Sequence, residues 1–162
     1  ENNDMRLGYP MQLGGGTYGF NLGLTAVKFI EDYSFGAQLK TLINVGNNDE
    51  DYRLGNEHGF NAWASYMPID SVSISLRVER KQFEKISGQD EVMHTMMSTT
   101  HDTAYSLRRF DTAYVGVNYS FQKGMLKGHR LAAEYGKLVS FKVADFQLAP
   151  EENFTLGWQK AF

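Results

Sequence analysis

Alternation with a period of two runs through nearly the whole chain, and it limits the possible folds more than any other feature. Tyr18, Phe20, Leu22, Leu24 and Ala26 share one side, and Gly19, Asn21, Gly23 and Thr25 share the other. Successive side chains of an extended chain point to opposite faces, so this pattern predicts a strand with one apolar and one polar face. Six further segments repeat it, at residues 33–45, 60–66, 72–78, 113–121, 131–135 and 154–162. With their flanks they approach the roughly nine to eleven residues that a tilted strand needs to cross a bilayer. Strands of soluble domains average about five or six.

Two kinds of closed sheet fit such a pattern. A soluble barrel places its large apolar residues inward and its charges in water. Here the polar face is rich in Gly, Ser, Asn and Thr, and the apolar face carries Tyr and Phe toward the strand ends, as a girdle at a membrane interface does. Composition agrees with the second kind. Aromatic residues make up 14%, glycine numbers 16, proline only 3, and cysteine is absent, which suits long strands joined by tight turns. No stretch reaches the roughly 20 apolar residues of a membrane helix. A net charge of -3 argues against nucleic acid as a partner. The chain opens on Glu1-Asn2-Asn3-Asp4, without a basic segment and apolar run, so a processed or partial chain is expected.

Loop lengths alternate. Short links at residues 31–34, 67–71 and 122–128 are interleaved with long ones at 46–57, 87–109 and 142–153, as short periplasmic turns alternate with long extracellular loops in bacterial barrels. Phe154, Leu156, Trp158 and the final Phe162 stand at even spacing and resemble the terminal strand by which the barrel-assembly machinery recognises outer-membrane proteins; Lys160 departs from that pattern. Among outward charges, Lys28, Lys160 and Arg80 lie near strand ends. Lys137 falls about midway, where a lipid-facing lysine costs about 2–4 kcal/mol. Either a bulge or kink near Gly136 redirects it, or the register slips there.

Seven strands raise a question of parity, since single-chain bacterial barrels have an even number. Residues 5–13 could supply an eighth strand, closing a small barrel after a turn at Gly14-Gly15-Gly16. Alternatively, residues 7–29 form one long strand, and an odd number of strands precedes it. Several motifs favour the second option. Tyr9-Pro10-Met11-Gln12-Leu13-Gly14, Tyr52-Arg53-Leu54-Gly55, Ala62-Trp63 and Ser75-Leu76-Arg77 resemble motifs of a family of outer-membrane transporters, related to the barrel proteins named after the MetA pathway of phenol degradation. Leu126-Lys127-Gly128-His129-Arg130-Leu131-Ala132 and Thr155-Leu156-Gly157-Trp158-Gln159 are similar too. The resemblance implies that this region is the C-terminal half of a larger barrel.

The expected protein is therefore all-β. It is an antiparallel up-and-down transmembrane barrel with seven or eight strands in residues 1–162, forming one domain of a longer chain in a Gram-negative outer membrane, with its C-terminus in the periplasm. Its expected partners are membrane lipid, lipopolysaccharide, the assembly machinery and a protein of the envelope. Lys40, Arg77, Glu79, Lys81, Arg130 and Glu134 fall on the polar face. They either line a conduit for small solutes or form a salt-bridged polar core. The loop with Met93, His94, Met96, Met97 and His101 combines thioethers and imidazoles that suit Cu(I), or packs its methionines on the barrel rim. His101-Asp102 does not suffice for catalysis, because sequence neighbours do not orient one another, so no enzyme is expected. Asn47-Asn48-Asp49-Glu50-Asp51 offers oxygen ligands but lacks the spacing of an EF-hand loop. The main alternative to a solute conduit is a non-transporting barrel that binds copper or scaffolds a partner.

Overall fold

A computed structural model describes residues 7–144 and 149–160. In chain order its strands are β1 (Tyr18–Ile30), β2 (Tyr33–Val45), β3 (Tyr52–Arg53), β4 (Glu57–Ile69), β5 (Val72–Phe83), β6 (Ser87–Gly88), β7 (Arg108–Ser120), β8 (His129–Val143) and β9 (Glu152–Lys160). The seven long strands form one antiparallel sheet in the order β1-β2-β4-β5-β7-β8-β9, so each pairs with its neighbours along the chain. Among the described residues β1 and β9 are the edges, and the sheet is not closed. The two-residue strands β3 and β6 pair with each other in the long loops.

Over the described residues, all seven alternating segments of the sequence fall on these seven strands to within a residue, with the faces as read. The burial, however, is inverted relative to a soluble sheet. In β2, Tyr33, Phe35, Ala37 and Leu39 are exposed, while Ser34, Gly36 and Gln38 between them are half-buried. The polar face is thus the sheltered, inner one. Hydrophobic side chains that are fully buried occur, among the described residues, only outside the large sheet: Tyr9, Tyr52, Ile86 and Met93. Glycine makes room on the inner face. A Cβ at Gly36 would run into the Trp63 ring, and one at Gly136 into the Tyr114 ring, so each aromatic ring occupies the space left by a glycine of the adjacent strand.

Both expectations for residues 5–13 fail over the part described. Tyr9–Met11 forms a turn of 3-10 helix, and β1 starts only at Tyr18. Pro10 has no N–H to give a ladder, Gly16 adopts φ 63°, and Tyr9 is drawn into the loops. A bulge lies three residues beyond Gly136, near which a bulge or kink is one of the two expectations: Asp111 pairs with Ser140 and Thr112 with Leu138, leaving Val139 extra. It does not turn Lys137 inward. Lys137 pairs with Ala113 and faces Glu152, the first residue of β9, with its Nζ 3.8 Å from Glu152 Oε1. Midway along its strand by count, Lys137 sits where its neighbour begins.

Candidate functional site

On the inner face, β5, β7 and β8 bring four of the six expected lumen residues together. Arg77 Nε and Nη2 donate to Glu134 Oε1 and Oε2 at 2.9 and 2.6 Å, and Nη1 donates to Asn61 Oδ1 at 3.0 Å. The guanidinium also lies 3.6 Å from the centre of the Tyr114 ring. Tyr114 donates its hydroxyl to Glu79 Oε2 at 2.9 Å, and Lys81 Nζ stands 3.4 Å from the same oxygen. Two cations thus meet two anions in a network across four strands, with Arg77, Glu79 and Glu134 half-buried and Lys81 exposed. A forked guanidinium on a carboxylate is the strong, directional form of such pairing. Lys40 lies apart, its stem packed beside Gly59 and Gly23. Arg130 is exposed near the short turns, paired in register with Ser120 and Gln159.

The outer face is organised differently. Rows of directly paired residues run across the sheet, and in three successive rows the point of change from apolar to polar moves steadily, while the pairs Phe20–Ile43 and Tyr18–Val45 beyond them stay apolar. The row through Leu22 is polar from Thr41 onward, through His58, Gln82, Arg109 and Lys142. The row through Leu24 stays apolar over Leu39 and Phe60, then meets Arg80, Asp111 and Ser140. The row through Ala26 stays apolar as far as Ala113 and changes at Lys137 and Glu152. In the next row Lys28 alone is polar, followed by Phe35, Ala64, Leu76, Val115, Tyr135 and Phe154. The boundary therefore shifts by one residue per strand. At ~3.3 Å along a strand for every ~4.8 Å across, it runs at about 35° to the rows. Toward the short turns the band ends in aromatic side chains, with Tyr33 stacked on Tyr66 at 4.8 Å and the Trp158 indole donating to His129 Nδ1 at 2.9 Å.

Two of the long loops, at residues 46–56 and 84–107, fold together with the segment around Tyr9 over one end of the sheet. Tyr9 and Tyr52 meet edge to face at 4.9 Å, with Met93 and Ile86 buried beside them. Asp90 is also buried; its backbone N–H donates to the Tyr9 hydroxyl at 3.0 Å, and its carboxylate accepts from Val92 N at 2.9 Å. Burial pushes the Tyr9 phenol above its ordinary range. Asn48 holds the acidic loop, accepting from the backbone N–H groups of Glu50 and Tyr52 and donating to Gly15 O. That segment is a built turn. Between this cap and the sheet lies a cavity of about 200 Å³, lined in part by Leu54, Glu57, Phe83, Glu84, Asp102 and Arg108.

The five residues singled out for Cu(I) divide between two environments. Met93 is enclosed in the cap, whereas Met96 and Met97 are 98% and 70% exposed. His94 is exposed and His101 half-buried. Asp102 accepts from Ala104 N at 2.8 Å, capping a turn instead of orienting His101. A polar chain that sequence reading missed links Thr41 Oγ1 to His58 Nδ1 at 2.8 Å and His58 Nε2 to Glu84 Oε1 at 3.4 Å. Cross-strand register creates it, and no local motif announces it. Phe154, Leu156 and Trp158 all face outward on β9 and are about two-thirds exposed, while Phe162 lies outside the described residues. Among the described residues no group of three or more His, Asp and Glu is placed to hold a metal ion. Compared with known proteins, the chain matches no family model and no curated protein.

Proposed function

We propose that the seven-stranded sheet is wall from a transmembrane β-barrel of a Gram-negative outer membrane, with its outer face in lipid and its inner face lining a path for small solutes. The diagonal edge of the apolar band carries this reading. A membrane boundary is a plane, and strands crossing it at a tilt must meet it at staggered positions. A stagger of one residue per strand corresponds to about 35°, within the roughly 35–45° tilt of outer-membrane strands. The boundary also accounts for Lys137, which sits on it beside Glu152 rather than at the centre of the lipid.

In this reading the short turns and the C-terminus face the periplasm, and the capped loop end faces outward. The exposed outer face of β9, with Phe154, Leu156 and Trp158, serves as the assembly signal. Because β1 and β9 run in the same direction, antiparallel closure requires an odd number of further strands. That supports a barrel with more strands than these seven, and the resemblance to the transporter family implies that they are its C-terminal portion. The network of Arg77, Glu79, Lys81 and Glu134 then forms a charged station on the inner wall, and passage, not catalysis, is its task.

Single-channel recording of the full-length protein in planar bilayers tests this. Discrete conductance is expected, and Glu134→Gln, which removes one anionic charge from the wall, should move selectivity toward anions. A correctly inserted protein without conductance would return the barrel to the non-transporting class, as a scaffold or metal-binding surface.

A further inference from the structure

Two grooves lie in line on the outer face of β5, β7 and β8, one on each side of the apolar boundary. The upper groove, about 260 Å³, is lined by Gln82, Arg109, Lys142, Leu107 and Val143 among others. The lower, about 370 Å³, is lined by Phe60, Val78, Ala113 and Val139 together with Glu79 and Thr112, and by Arg80, Asp111 and Ser140 of the polar row next to the upper groove. The bulge at Val139 shapes this place, since an extra residue bends its strand and raises the local twist. In the two polar rows Arg80, Arg109 and Lys142 bring three positive charges against one carboxylate. Asp111 spends that carboxylate mainly on Arg80, at 2.6 and 3.2 Å, with Arg109 Nε more distant at 3.5 Å. Arg109 Nε is itself buried without a hydrogen-bond partner.

We infer that this site holds a phosphorylated glycolipid of the outer leaflet, the phosphate in the upper groove on Arg109, Lys142 and Gln82, and an acyl chain in the lower groove along Val78, Ala113 and Val139. The inference rests on the membrane reading above. Its chemistry is that of a basic pocket at the headgroup level: guanidinium and ammonium give charge-assisted hydrogen bonds to phosphate oxygens, and the alkyl chain replaces lipid against an apolar wall. Surplus positive charge selects an anionic head, and the lower groove, one row of the sheet away, selects a head that carries a chain.

The test uses the full-length protein folded into phosphatidylethanolamine vesicles containing bisphosphorylated lipid A, extracted in mild detergent, with bound lipid read by native mass spectrometry. Retention of lipid A is expected in the wild type. It should fall by about tenfold or more in Arg109→Gln/Lys142→Gln, as expected for lost charge-assisted contacts, and be unchanged in Lys127→Gln at the far end. The charge-preserving Arg109→Lys/Lys142→Arg should keep most of it. Dephosphorylated lipid A should not be retained, and inorganic phosphate at millimolar concentration should not displace the lipid. Equal retention by the neutral double variant, equal retention of dephosphorylated lipid A or of phosphatidylglycerol, or displacement by phosphate alone would each overturn the inference while leaving the membrane reading intact. Failure of the wild type to insert, read by protease protection, would overturn both.

Discussion

In the loop cap Met93 is 1% exposed beside Tyr9, Tyr52 and Ile86, while in the sheet Leu24 and Leu156 are 71% and 70% exposed. Within one chain, then, similar side chains are treated in opposite ways. The cap is built as water builds a core: apolar groups from three separate segments close on one another, and the buried polar groups among them are hydrogen-bonded. The sheet turns its apolar residues out and keeps Arg77, Glu79 and Glu134 in. Under the proposed membrane reading, the region that hides methionine faces water and the region that displays leucine faces lipid.

That comparison can be broken experimentally. The largest effect is expected from Met93→Ala, which leaves a cavity in the cap and should cost about 2–5 kcal/mol locally. Limited proteolysis should cut residues 84–107 faster while the sheet stays intact; simultaneous loss of the sheet would mean that the two regions are not separate. Next, Val115→Arg, at the middle of the outer band, should cost about 2–4 kcal/mol in equilibrium folding into vesicles. The same change at Val92, exposed in the loops, should be nearly silent. If the two positions respond alike, lipid does not distinguish the regions. A smaller loss, about 1–3 kcal/mol, is expected from Glu134→Ala, which strands Arg77 without its forked partner. Its denaturation should be compared with that of Arg77→Ala/Glu134→Ala, which should recover part of the loss.

The smallest effect concerns pH. The folded cap holds Tyr9 as the neutral phenol and raises its pKa, so this contribution is complete below the ordinary tyrosine value near 10 and is lost as pH rises through the raised one. Hydrogen exchange at Met93 should therefore accelerate above about pH 10. Tyr9→Phe should show a weaker acceleration.

The fold was legible to the extent that its signals are local. The seven strands, the division of side chains between faces, and the alternation of short turns and long loops all follow from which neighbour is apolar. Residues 5–13 misled because their even-spaced Met5, Leu7, Tyr9, Met11 and Leu13 imitate a strand. Pro10 breaks the ladder, and Tyr9 finds burial elsewhere. The candidate site was half legible. Arg77, Glu79, Lys81 and Glu134 could be assigned to one face, but Asn61 and Tyr114, which complete their network, carried no distinguishing mark. In the methionine loop, clustering in sequence said nothing about Met93 turning inward while Met96 and Met97 turn out.

What the sequence determined by itself is the alternation, because the direction of successive side chains is set by the geometry of a single extended strand. Register was decided only in the tertiary structure. The meeting of Arg77 with Glu134, the chain from Thr41 to Glu84, and the diagonal on which Lys137 finds its place all depend on how far one strand is staggered against the next. That stagger is a relation between segments tens of residues apart, fixed by turns, bulges and packing acting together.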